Sequence, residues 1–259
     1  MCFSHCAFLS RRQVLALSML GLAAGTAHAG TELLDVRTRF EGLAPKTVVL
    51  TLDACGGILD NVLSEYLSSH GTACSIFATG LFAAKNPQAM RVFVEQGWDV
   101  LNHGYLHHAP ISSPGRLWNV PCTATEQGLR LEVEEGARQL TQWREHAPRV
   151  YRGATAMYDA RTIEWLVRND WTIGGYTTAA DAGGRATSAS VRRIGEKVRA
   201  GDVLLAHINH PERQNGAHVV ELLEHLRAKG FSFVSWSQAQ ANGVRVQTVT
   251  PRSIRLDRD

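Results

Sequence analysis

Nowhere does this 259-residue chain hold an apolar run of the roughly 20 residues that a membrane-spanning helix needs. The stretch from Val14 to Ala24 falls well short of that, and no later one comes closer. Cysteine is also scarce: five residues, Cys2, Cys6, Cys55, Cys74 and Cys122, are too few for a disulfide scaffold. Strong charge of either sign is missing. The formal net charge is +3, and Arg11 and Arg12 supply two of those three charges, so the chain after them carries only +1. With no Lys/Arg block either, a nucleic-acid partner is not expected. Repeats and low-complexity tracts are absent. The pair Gly56–Gly57 is too short for a phosphate cradle, and no P-loop lysine follows it.

What is present begins with a stretch that reads as a leader. "SRRQVLALSML" sets Arg11 and Arg12 before a short apolar stretch, and Ala27, His28 and Ala29 end in small residues suited to a signal peptidase. Residues 1–29 therefore read as an export signal, with the paired arginines pointing to the twin-arginine route and an ordinary secretory signal as the alternative. The protein is expected in the periplasm or outside the cell. Residues 30–46 read as a lead-in, 47–240 as one large domain and 241–259 as a C-terminal arm. Removing the leader leaves Cys55, Cys74 and Cys122, an odd number, so at least one thiol is free or bridges chains.

Within the domain, strand-like runs at 47–54, 73–79, 98–102, 149–153, 171–176, 202–208 and 231–236 alternate with helical patterns at 58–69, 86–96, 123–145, 159–169, 187–200 and 216–229. Strands apolar on both faces, separated by helices, predict a parallel sheet covered by helices. About seven such units favour an α/β architecture of the distorted (β/α) barrel kind. The one long connection, residues 104–122, is rich in Pro, Gly and Ser, and such loops are more often functional than not.

In parallel α/β folds ligands gather at the carboxyl ends of the strands. The strand ends here supply Asp53, then His103 and His107, then Arg152, then Asp181, and then His207 followed by His210. Two histidines spaced four apart suit a borderline metal such as Zn2+. In a chain with eleven His such a pair also arises by chance, and His70, His146, His218 and His225 read as surface or core residues.

The order of these boxes, "TLDA", "HGYLH", "YRGATAMYD", "AADAGG" and "LLAH", resembles the polysaccharide deacetylase family, carbohydrate esterase family four, over residues 47 to about 240. The resemblance implies a distorted (β/α) barrel and a hydrolase acting on C–N bonds other than peptide bonds. Such an enzyme removes N-acetyl or O-acetyl groups from a polysaccharide with the help of a divalent metal, expected to be Zn2+. It implies Asp53 as general base, Arg152 as the group that orients it, His103 and His107 as metal ligands, His207 as general acid and Asp181 as the partner of that acid. The metal would polarise the acetyl carbonyl and acidify the attacking water. Asp53 would take the water's proton and His207 would protonate the departing amine. An inactive glycan-binding member of the same fold and a small-amide metallohydrolase are the alternative readings.

Two departures bear on the site. The family's first box usually carries a second acid as metal ligand, where this chain has Ala54, and its third box usually carries a proline, where this chain has Ala154. Two histidines and water, a substitute ligand such as Asp60 or Cys55, or loss of the metal are the readings this leaves. A branch of the family with an Asp-Ala-Cys-Gly-Gly box and an ending like "HINHP" is the nearest resemblance. Cys55 itself is open to reading as a packing residue at a tight turn, a metal ligand, a disulfide partner of Cys122, or a nucleophile beside His207. Tyr105 and Trp118, on the long loop, are the aromatic side chains placed to stack on a sugar; Tyr158 and Trp171 read as core.

Overall fold

The computed structural model describes residues 31–144 and 148–257, and the expected export signal lies outside them. Thirteen strands are assigned among these residues. They are β1 (Thr31–Glu41), β2 (Thr47–Ala54), β3 (Ser75–Ala78), β4 (Asp99–Asn102), β5 (Arg116–Leu117), β6 (Val120–Pro121), β7 (Val150–Tyr151), β8 (Met157–Tyr158), β9 (Thr172–Ile173), β10 (Thr178–Ala179), β11 (Val203–His207), β12 (Ser232–Val234) and β13 (Val244–Ile254). The main sheet is parallel, in the order β10-β11-β2-β3-β4-β7-β9, with β12 also alongside β2. It curls into a barrel that stays open, because its edge strands β9 and β10 do not pair with each other. The seven strand-like runs of the sequence are all in this sheet; the two-residue strand β10 joins it as well.

Alternation along the strands decides which side chains reach the barrel interior. On β2, Val48, Leu50, Leu52 and Ala54 pack outward against the helices in the largest apolar cluster, while Val49 joins Phe77, Leu101, Val203 and Trp236 in a smaller cluster inside the barrel. Strand β11 repeats the pattern, with Leu204 and Ala206 outward and Val203 inward. The interior positions of β2 above Val49 are therefore Thr51 and Asp53, and the next position in that rhythm is Cys55. This register carries the acid and the thiol to the same mouth and sends Ala54 the other way.

Helix starts follow their capping residues. Asp60 accepts from the Leu63 amide and begins the helix Asn61–Ser69; Asp159 and Thr162 form a capping box at Ala160–Arg168. The helical pattern at 123–145 is one run of changing pitch: α-helical over Glu126–Arg130, a π-turn at Leu131–Glu135, and α-helical again over Gly136–Leu140. Residues 31–41, read from the sequence as a lead-in, pair with β13 along eleven consecutive positions to form an antiparallel ribbon. Its strand β1 lies beside the open seam of the barrel, where the Thr38 and Phe40 amides donate to the carbonyls of Tyr176 and Gly201. The long loop is partly ordered by the small hairpin β5–β6. No helix among the described residues is long and apolar enough to cross a membrane.

Candidate active site

A cleft of about 820 Å3 opens at the carboxyl end of the sheet, and Asp53, Cys55, His103, His107 and His207 all line it. Asp53 and His207 are register partners on the adjacent parallel strands β2 and β11, so the backbone alone holds these two groups side by side. His103 follows β4 directly. His107 lies on the loop beyond it with a left-handed φ of 66°, a conformation few non-glycine residues adopt. Arg152 and Asp181 stand behind the cleft wall, both fully buried.

Asp53, 3% exposed, receives a 2.6 Å hydrogen bond at Oδ1 from Arg152 Nη1. Three further contacts of that guanidinium go to the carbonyls of Gly174 and Gly175 and to Thr51 Oγ1, and its Cζ lies 3.9 Å from the centre of the Phe77 ring. A guanidinium so anchored fixes one carboxylate oxygen and leaves Oδ2 toward the cleft, 3.7 Å from His103 Nε2.

His103 Nδ1 is 2.7 Å from the carbonyl oxygen of Arg152. A carbonyl can only accept, so the proton sits on Nδ1 and Nε2 offers its lone pair to the cleft. Burial by itself would lower the His103 pKa, yet the negative charges of Asp53 and Cys55 outweigh it and raise the value. Cys55 Sγ lies 3.4 Å from His103 Nε2. Burial would raise the thiol's pKa, but His107 and His103 together bring it well below the ordinary range. One donor atom each from Cys55, His103 and His107 falls within 4.8 Å of the others. A thiolate and two imidazoles form a donor set suited to a borderline divalent metal, so these residues fit the group the family resemblance calls for.

His207 turns Nδ1 to Asp181, at 3.0 Å from Oδ2 and 3.2 Å from Oδ1. Asp181 Oδ2 also accepts from the His207 backbone amide and from Asn215 Nδ2. Desolvation opposes the charge on both groups, but their mutual attraction wins: the His207 pKa rises well above its usual value and that of Asp181 falls. Asp181 thus favours the charged imidazole, Cys55 adds to the effect, and with Nδ1 tied to Asp181 the other nitrogen, Nε2, is the one on the cleft side.

Several readings of the sequence change here. Asp60 is not part of the Cys55–His103–His107 cluster; its oxygens cap one helix at the Leu63 amide and hold the Gly216 amide at the start of another. Cys55 carries a free thiol and makes no disulfide with Cys122. Cys122 instead lies beside Ala109 in the folded long loop, and Cys74 precedes β3 at the opposite end of the barrel. Tyr105 does not line the cleft; its ring packs close to Gly80. Trp118 does line it, 60% exposed on the β5–β6 hairpin. Tyr158 and Trp171 are buried.

Sequence reasoning missed three groups. Glu132, 2% exposed on the π-turn, accepts the backbone amides of Leu106 and His108, on either side of His107. Asn215 braces Asp181. Asn209, of "HINHP", donates to the Gly56 carbonyl at 2.5 Å and so ties that motif to the Asp-Ala-Cys-Gly-Gly turn. An acid beside the apolar helical rhythm of Leu129, Val133 and Leu140 is a signal for Glu132, but nothing in the sequence says which loop it meets.

A family model described as polysaccharide deacetylase matches residues 41–173. Among solved structures, the chain is similar to a peptidoglycan N-acetylglucosamine deacetylase, at 18% identity and a TM-score of 0.63 over 75% of this chain and 88% of that one. It is similar to a family 4 carbohydrate esterase from Streptomyces lividans in complex with acetate, at 20% identity and a TM-score of 0.61 over 78% and 98% of the two chains. It also resembles a pseudoenzyme of the same family from Bacillus anthracis, at 16% identity and a TM-score of 0.61 over 75% and 65%. At such identities the likeness is one of fold. No curated protein matches the sequence.

Proposed function

The chain belongs to the polysaccharide deacetylase family of carbohydrate esterases, and from that premise we propose that it is an exported, metal-dependent hydrolase that removes acetyl groups from an acetylated glycan. The observation that carries this reading is the pairing, side by side at one cleft, of a carboxylate and an imidazole that each have a buried partner of their own. Asp53 is a carboxylate held by Arg152, and His207 is an imidazole held by Asp181, which raises its pKa.

The division of labour follows from the geometry. Asp53 Oδ2, the oxygen Arg152 leaves free, accepts a proton from the attacking water, while Arg152 keeps the carboxylate oriented. His207 Nε2 delivers a proton to the departing amine nitrogen, and Asp181 fixes the tautomer and stabilises the imidazolium, as the acid of a Ser-His-Asp triad does. His103 and His107 would hold the metal, with Cys55 beside them. When bound, a divalent metal, for which Zn2+ suits the donors, supplies Lewis acidity toward the acetyl carbonyl and makes water a better nucleophile at neutral pH. Trp118 offers an exposed indole at the rim for the face of a sugar ring. The leader-like residues 1–29 support action in the periplasm or outside the cell, where acetylated envelope glycans are found.

The test compares metal content and acetate release in two variants. Asp53→Asn is expected to keep its metal and lose turnover, whereas His103→Ala loses both. Equal metal loss in the two would make Asp53 a ligand and overturn its assignment as base.

A further inference from the structure

We propose that Cys55 is a ligand of the metal centre, so that the cleft holds a Cys-His-His site selective for thiophilic divalent ions. The inference rests on the metallohydrolase reading and goes beyond it by naming the third protein donor and the class of metal it selects.

Three observations converge on it. First, strand alternation sends Ala54 into the apolar cluster outside the barrel, fully buried, so position 54 offers nothing to the cleft; the thiol at 55 comes back to the Asp53 side. Second, the thiol is aimed. Sγ stands 3.4 Å from the lone-pair nitrogen of His103, whose other nitrogen is tied to the Arg152 carbonyl, and the three donor atoms of Cys55, His103 and His107 lie within 4.8 Å of one another. Third, the turn that carries the thiol is held from both sides. Thr79 Oγ1 donates to the Cys55 carbonyl at 2.8 Å, and Asn209 Nδ2 donates to that of Gly56. Gly57 sits at φ +72° with the Asn209 carbonyl oxygen only 3.3 Å from where a Cβ would be. A side chain there would strain the turn and displace the thiol.

The consequence is chemical selectivity. Oxygen donors favour Mg2+ and Mn2+, whereas a thiolate with two imidazoles favours Zn2+, Co2+ and Cd2+. Three protein donors is also the number catalytic zinc sites use. Asp53 has one oxygen on Arg152 and, on the proposed reading, keeps the other for the proton of the attacking water, while Asp60 is spent on two helix starts, so the sulfur is the third donor the cleft supplies.

The experiment strips the full mature chain with a chelator and titrates it with Co2+, then with Zn2+ in competition with Mn2+, for wild type, Cys55→Ser and His103→Ala. Wild type is expected to bind one Co2+ per chain with an intense near-ultraviolet sulfur-to-cobalt charge-transfer band, and to prefer Zn2+ to Mn2+. Zn2+ should also protect Cys55 from iodoacetamide. Cys55→Ser should lose the near-ultraviolet band and bind Zn2+ about a hundredfold more weakly or worse, at least the loss seen when an outer-shell partner is removed. Cobalt bound by wild type without the charge-transfer band, or alkylation of Cys55 undiminished by saturating Zn2+, overturns the thiolate ligand and leaves the His103–His107 reading standing. No binding of either ion by folded wild type overturns both. The alkylation arm needs no variant, so a misfolded Cys55→Ser protein would not shelter the proposal.

Discussion

Arg152 Nη1 donates a 2.6 Å hydrogen bond to Asp53 Oδ1, and neither residue is more than 3% exposed. A buried ion pair of this kind is costly to break from one side, because the survivor is left charged and dry. Arg152→Met is therefore expected to destabilise the fold by about 3–5 kcal/mol, read from urea unfolding, and to abolish acetate release. Adding Asp53→Asn to it should recover much of the stability and none of the activity. A single variant as stable as wild type would show that solvent reaches the pair.

The pair formed by His207 and Asp181 sets a pH dependence. The His207 pKa is raised in the folded state, so its contribution to stability is full below the unfolded value of about 6.5 and is lost as pH rises through the raised folded value. Asp181 is depressed, so its contribution is present above about pH 3.9 and lost as pH falls through its lowered value. On the proposed mechanism turnover needs protonated His207, so Asp181→Asn should move the alkaline limb of the pH–rate profile to lower pH and leave the acid limb in place. An unmoved alkaline limb would remove His207 from the role of acid.

Glu132 holds the loop between the two histidines through the amides of Leu106 and His108. Glu132→Gln places an amide NH2 against one of those donors, at a cost of about 1–3 kcal/mol. Zinc affinity, measured by competition with a chelating dye, should fall by roughly 10- to 100-fold. Wild-type affinity in a folded variant would mean that the backbone of the loop holds His107 unaided.

Trp118 is exposed at the rim, so Trp118→Ala should leave the melting temperature almost unchanged. If the indole stacks on a sugar, KM for acetylated oligosaccharides should rise by up to roughly tenfold, equivalent to about 0.5–1.5 kcal/mol, while a monosaccharide substrate is unaffected. Equal effects on both would place the indole at the reacting sugar.

Much of the site was legible because it sits at strand ends, where two-residue alternation and strand order govern both fold and chemistry. Asp53, His103, Arg152 and His207 all follow or end apolar runs, and the runs predicted them together. The ribbon of β1 and β13 was harder: "VRTRF" and "VRVQTV" alternate as strands do, yet their pairing spans some two hundred residues, a separation that local pattern does not encode. The same holds for Glu132, whose partner loop is set by the π-turn that rotates it inward. Asp60 looked available as a ligand because its helix cap and its contact with Gly216 are tertiary facts. Cys55 was the reverse: its alternation with Asp53 was in the sequence, and the fold shows that the strand keeps its rhythm through Ala54 and into the turn.

The most direct measurement is acetate released by the zinc-loaded protein from acetylated chitin oligomers and from peptidoglycan, followed beyond one equivalent per chain. Repeated turnover on at least one glycan, absent in Asp53→Asn, is the predicted result. No acetate from either, by a folded protein carrying its full metal, would contradict the account and leave a glycan-binding barrel in its place.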